Sequence, residues 1–148
     1  MRGFTLVELL IVVVILGILA AVVIPQFADA SASSEEAALR ADLWVMRDAI
    51  QRYALEHDGN YPLSLTALAR YSNKTGTVMA ENKTAVFQYG KYIIELPPCP
   101  TGPSKGGKDW VAIGNNPPTV SSPLTNVGWL YHSASGNFWV NDVNHFDK

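Results

Sequence analysis

The sequence predicts an α+β chain: a long N-terminal α-helix, apolar in its first half, whose second half packs on a small C-terminal antiparallel β-sheet. Three observations predict it. The run from Leu6 to Ile24 is apolar apart from Glu8, the pattern of a helix with no water-facing side. A clean helical period follows, with Leu39, Leu43, Met46, Ile50 and Tyr53 recurring at steps of four and three. Past Pro62 the chain breaks into short aromatic and β-branched stretches between turn residues, the pattern of strands.

A single helix is expected over residues 4–57, roughly 80 Å long at about 1.5 Å per residue. Residues 4–27 form its apolar half, long enough to cross a bilayer or to lie among neighbouring helices. Gly17 and Pro25 interrupt that half. Pro25 removes a backbone donor and crowds the preceding turn, so a kink or local melting is expected near residues 18–25. Residues 28–57 form the amphipathic half. They open on small polar residues, and Ser33-Ser34-Glu35-Glu36 has capping-box spacing, which would restart or stiffen the helix. Glu36/Arg40 and Asp48/Arg52 lie four apart with the acid first, the favourable order on an exposed face. The apolar stripe spans barely two heptads, so its expected partner is the C-terminal head and not a coiled coil.

The helix ends at Glu56-His57-Asp58-Gly59-Asn60-Tyr61-Pro62, where Gly59 suits a left-handed cap and Pro62 prevents continuation. Residues 58–148 make up the head. Residues 63–71 read as a short helix with Leu65, Leu68, Ala69 and Tyr71 on its buried side. Residues 72–83 are polar loop with a strand fragment at 77–80, and residues 97–107 are loop again. Strands are expected at 110–113, 127–132 and 137–141, the last two joined as a hairpin by Ser133-Ala134-Ser135-Gly136. Trp129/Tyr131 and Phe138/Val140 are its candidate same-face pairs.

Composition narrows the function. A net charge of −2 gives no reason to expect broad nucleic-acid affinity. Cys99 is the single cysteine, so no intrachain disulfide can form, and in Pro97-Pro98-Cys99-Pro100 it reads as a small apolar side chain in a rigid loop. His57, His132 and His145 lie far apart without zinc-site company. Ser133 and Ser135 beside His132 read as turn residues, and the chain holds no Gly-x-Ser-x-Gly, Walker or GxGxxG motif. No enzyme is expected, and no catalytic residue is assigned.

Glu8 is the informative residue. A charged carboxylate in hydrocarbon is expensive and needs a partner. Cleavage between Gly3 and Phe4 would free an α-amino group about one helical turn away, and that amine on one copy could meet Glu8 of its neighbour. Two blander readings leave the pattern unexplained. A secretory signal cut near Ala28-Asp29-Ala30 has too long an apolar run, and a plain membrane anchor has no use for Glu8.

Gly3-Phe4-Thr5-Leu6-Val7-Glu8, followed by the apolar run through Ile24-Pro25-Gln26-Phe27, resembles the class III signal of type IV pilins and type II secretion pseudopilins. The resemblance implies a type IV pilin-like fold, cleavage after Gly3 by a prepilin peptidase, N-methylation of Phe4, and Glu8 as the assembly carboxylate. Family leaders are usually longer and more basic than residues 1–3, which implies an upstream start. Tyr53, Gly59, Tyr61 and Pro62 match the helix ending of the major, G-type pseudopilin. The family then implies a homopolymer, joined by minor pseudopilins or pilins and built by an inner-membrane platform and an ATPase. The subunit would first span the bacterial inner membrane once with its head in the periplasm, then enter a periplasmic pseudopilus or a surface pilus. The function expected is a type II secretion pseudopilus subunit supporting export of folded proteins. The alternatives are a type IV pilin for adhesion, motility or DNA uptake, and a membrane-anchored binding domain that never polymerises. No cofactor is expected. Some G-type relatives hold calcium in the head, and here Asp142, with Asn137, Asn141, Asn144 and Asp147 nearby, is the residue that could ligate one. Some pilins take up DNA through lysines beside aromatics, but Lys74, Lys83, Lys91, Lys105 and Lys108 are diluted by local acids.

Overall fold

The computed structural model describes residues 3–118, 124, 126–142 and 145. Helix α1 (Leu6–Glu56) is followed by a 3₁₀ turn (Leu65–Ala69) and strands β1 (Tyr71–Ser72), β2 (Met79–Ala80), β3 (Asp109–Ala112), β4 (Val127–His132) and β5 (Asn137–Val140). Two compact units divide the chain, Met1–Glu36 and Ala37–Lys148. The first is helix from Leu6 onward, with its described side chains exposed up to Ser34. It is apolar and long enough to cross a membrane. The backbone is helical through Gly17 and with Pro25 inside it. Helix α1 is also unbroken at Ser33–Glu36, so the capping box expected there opens no helix.

The second unit is built on the stripe read from the sequence. Leu39, Leu43, Met46, Ala49, Ile50 and Tyr53 are all buried, and they pack with Leu65, Leu68, Trp129, Tyr131, Phe138 and Val140 into one core. Each of the buried Leu, Ile, Val, Met and Phe side chains contributes roughly 1.5–3 kcal/mol by leaving water. The charged residues take the open face, where Asp48 and Arg52 pair at 3.0 Å.

The helix ends with two consecutive left-handed residues, Asp58 (φ 56°) and Gly59 (φ 84°). The Gly59 N–H donates to the Ala54 carbonyl at 2.8 Å, which closes a Schellman-type cap. Lys74 adds a second closure, donating to the Glu56 carbonyl at 2.7 Å and pairing with Asp58 at 2.9 Å. His57, on the last turn, is 1% exposed. Its Nδ1 donates to the Tyr53 carbonyl at 2.7 Å, and its Nε2 lies 2.8 Å from Ser72 Oγ. The ring stacks on Tyr53 with centroids 3.8 Å apart. The residue knots the helix end to β1.

After the helix, Ser64 caps the 3₁₀ turn, and Leu65, Ala67 and Leu68 are its buried residues. The expectation of Ala69 and Tyr71 on that buried side is corrected, since both are only half-buried. Ala69 falls off the face because a 3₁₀ turn stacks i over i+3, not i+4, and Tyr71 lies beyond the turn, in β1. Strand β2 pairs antiparallel with β1, Ser72 opposite Met79.

The larger sheet runs β3-β4-β5. The hairpin of β4 and β5 is antiparallel, with Trp129 opposite Val140 and Tyr131 opposite Phe138. All four face the core. Antiparallel pairing throughout was the expectation, but β3 lies parallel to β4, so the sheet is mixed. Residues 113–126 separate the two strands, a connection of the length that a parallel crossover needs and a hairpin does not.

Cys99 sits in the core at 1% exposure, and its Sγ donates to the Thr101 carbonyl at 3.2 Å. Its loop closes through the Cys99 N–H to the Gly107 carbonyl and the Gly106 N–H to the Cys99 carbonyl. Burial pushes the thiol above its ordinary range. Less thiolate is then present at neutral pH, so the native thiol should resist iodoacetamide at pH 7.5 and alkylate at once in denaturant, as read by intact mass. Truncating the core stripe should be equally plain. In thermal denaturation of the detergent-solubilised chain, Ile50→Ala should lose about 2–5 kcal/mol. Leu55→Ala, at 81% exposure, should stay within about 0.5 kcal/mol of the parent.

Candidate functional site

The helix starts on a carboxylate, not on a bare backbone. Thr5 is the N-cap of α1 and Glu8 its third residue. The Thr5 N–H donates to Glu8 Oε2 at 2.8 Å, and the Thr5 hydroxyl donates to the same oxygen at 2.7 Å. In return the Glu8 N–H donates to Thr5 Oγ1 at 3.2 Å. This is the reciprocal capping box, and its signature, Thr-x-x-Glu, was open to reading in the sequence. The sequence reasoning placed that motif at Ser33–Glu36 and missed it here.

Among the described residues both of these donors converge on Oε2, which leaves Oε1 available to a donor from outside. An α-ammonium group carries several N–H donors and a positive charge, and it is the natural complement. Phe4 precedes the cap and is 74% exposed. A Cβ built on Gly3 would meet nothing within 4 Å, so the Gly3–Phe4 peptide is open to approach. Above the cap, Leu6 to Phe27 present exposed Leu, Val, Ile and Phe side chains. A segment of this kind is stable only in lipid or against other apolar helices.

The remaining sequence candidates go elsewhere. Asp142 is the only buried acid among the described residues, and its Oδ2 lies 2.8 Å from His145 Nδ1. Its close neighbour is Gly102, where an added Cβ would lie 2.6 Å from Asp142 Oδ2. Asn141 is committed, its amide donating to Leu124 O and Val127 O at 2.9 and 2.8 Å. Asn137 donates to Asn116 at 3.0 Å. Asn144 and Asp147 lie outside the described residues. Among those described, no three His, Cys, Asp or Glu side chains gather as a metal group. Among the described residues, the buried Thr101 Oγ1 has no hydrogen-bond partner. His132 Nδ1 lies 2.8 Å from Ser135 Oγ, the hydroxyl serving the hairpin turn.

Three of the described lysines are met locally. Lys74 pairs with Asp58 and Lys108 with Glu95, while Lys91 lies over the Tyr71 ring. Trp110 is half-buried and packs edge-to-face with Tyr131, ring centroids 6.0 Å apart.

A carboxylate that caps the start of an apolar helix, followed by a compact α+β head, defines a class of small proteins carried on one N-terminal apolar helix. Residues 1–24 match the family model described as the prokaryotic N-terminal methylation motif. The chain is 33% identical over 100 residues to type II secretion system core protein G of Aeromonas hydrophila, covering 68% of this chain and 67% of that protein. Against core protein G of Klebsiella pneumoniae it is 32% identical over 101 residues, covering 68% and 69%. Against the type IV major fimbrial protein FimA of Dichelobacter nodosus it is 46% identical over 55 residues, covering 37% and 35%. No solved structure matches. The chain belongs to the pilin and pseudopilin family that includes type II secretion system core protein G.

Proposed function

We propose that this chain is the repeating structural subunit of a type II secretion pseudopilus. The observation that carries the reading is the helix start, a carboxylate with one oxygen satisfied by Thr5 and the other open, followed by an apolar segment. A prepilin peptidase cuts after Gly3 and methylates Phe4. The new amine of one subunit meets Glu8 of its neighbour, and the apolar segments bundle with Gly17 and Pro25 marking where the helix loosens. The subunit spans the inner membrane once, head in the periplasm, until a platform protein and an ATPase draw it into the filament beside minor pseudopilins. Its role is structural and not enzymatic. Similarity to core protein G over about two thirds of each chain supports this reading.

A second reading is a type IV pilin for surface fibres, favoured by similarity to FimA and to the PilE1 pilin of Neisseria gonorrhoeae (43% identical over 97 residues). A strain lacking the gene separates the two. Loss of folded exoproteins from the culture supernatant is expected, whereas an unchanged supernatant with missing surface fibres would favour the pilin. Glu8→Val tests polymerisation itself. The variant should insert in the membrane at wild-type level and form no filament; filaments at normal yield would return the chain to a plain anchored domain.

We also propose that the head needs no resident cofactor. Calcium takes six to eight oxygens, and the buried Asp142 carboxylate already has an oxygen against the His145 imidazole. The melting temperature should be the same with calcium as with a chelator. A rise on the order of 10 °C in saturating calcium, lost in Asp142→Asn, would instead make Asp142 a calcium ligand.

A further inference from the structure

The tripeptide Asn-Lys-Thr occurs twice in the head, at residues 73–75 and 82–84, and the chain holds no other Asn-x-Ser or Asn-x-Thr. This pattern, with any residue but proline in the middle, is the acceptor for N-linked glycosylation on an exposed loop. The two copies are identical in sequence, so only the fold can tell them apart. The first is closed. Asn73 is half-buried, its Oδ1 accepts from the Thr77 and Val78 N–H groups at 3.1 and 3.3 Å, and its Nδ2 donates to Thr77 Oγ1 at 3.3 Å. The Gly76 N–H closes the turn on the Asn73 carbonyl at 2.9 Å, and the Thr75 hydroxyl lies 2.9 Å from Thr77 Oγ1. This amide must leave the turn it builds before any enzyme can take it.

The second copy is open. Asn82, Lys83 and Thr84 are all exposed, just beyond the end of β2 and outside both sheets. Among the described residues the Asn82 side-chain amide has no hydrogen-bond partner. Thr84 shapes the chain that follows: its N–H donates to the Phe87 carbonyl at 3.1 Å, and its Oγ1 accepts from the Val86 and Phe87 N–H groups at 3.3 and 3.1 Å. A hydroxyl used as acceptor in this way keeps its own proton to donate. The segment thus presents a free amide and, two residues on, a fixed hydroxyl.

We propose that Asn82 is an N-glycosylation site and that Asn73, in the same tripeptide, is not. The inference rests on the reading that places the head in the periplasm, where a membrane-bound oligosaccharyltransferase would meet it. The sugar donor is a lipid-linked oligosaccharide. A bond forms between Asn82 Nδ2 and C1 of the first sugar, and the bond from C1 to the lipid phosphate oxygen breaks. The lipid phosphate leaves with that electron pair, and one amide proton passes to a base of the transferase. An attached glycan is bulky and hydrated, so it needs an anchor standing in water. Asn82 meets that need without the loss of any bond that holds the head together. Val78 and Val86, 51% and 65% exposed, lie four residues to either side, and a glycan on Asn82 would cover apolar surface there.

The test is peptide mapping by mass spectrometry of the full chain, purified from the cells that naturally make it. The peptide holding Asn82 should carry a glycan mass on that residue, and the peptide holding Asn73 should carry none. Asn82→Gln and Thr84→Ala should each abolish the added mass, Thr84→Ser should keep it, and Asn73→Gln should leave it unchanged. A bare Asn82, or a glycan on Asn73, overturns the proposal. The same digest reads the start of the chain. Phe4 as a methylated N-terminus beside a bare Asn82 overturns the glycan alone, whereas a chain uncut after Gly3 overturns the filament reading whatever Asn82 carries.

Discussion

A carboxylate set one turn into an apolar helix must find donors, because nothing else in that segment stabilises its charge. Thr5 supplies two, both to the same oxygen of Glu8, and so caps the helix and shields part of the charge at once. Among the described residues, neither of these donors reaches Oε1. The first unit is therefore incomplete by itself in two senses, with a half-satisfied acid and an apolar surface that needs company. A subunit completed by its neighbours in this way must carry a head that folds without them.

The head meets that demand with one core made from both ends of its own sequence. The stripe from Leu39 to Tyr53 supplies one wall, and Trp129, Tyr131, Phe138 and Val140 supply the other. The covering loops are fastened by single polar side chains with several partners each. His57 joins the last helical turn to β1, Asn141 holds the backbone at Leu124 and Val127, and Lys74 closes the helix end. His57 and Asn141 are buried, and buried polar groups are tolerated because they are bonded.

Those same residues explain why little in the head invites catalysis. The histidines that a search for chemistry singles out are spoken for, His57 by a carbonyl and a hydroxyl, His132 by its own turn, and His145 by Asp142. Cys99 is packed and protonated, the opposite of a reactive thiol.

The sequence by itself determined the helix, its apolar and amphipathic halves, its stop at Asp58-Gly59 and the β4–β5 hairpin. Each of these depends on short-range periodicity or turn chemistry, which neighbouring residues encode directly. The Thr5–Glu8 capping box is equally local, since the Thr-x-x-Glu spacing alone encodes it. Tertiary structure decided what no local pattern can hold. The parallel placement of β3 beside β4 pairs residues far apart in the chain, and His57 is held by Ser72, fifteen residues away. The exposure of Trp44 follows from which face of α1 the sheet happened to cover, since the helical period alone says only that the residue lies off the stripe. Contacts between distant residues are chosen by the whole core, and only the folded chain displays that choice.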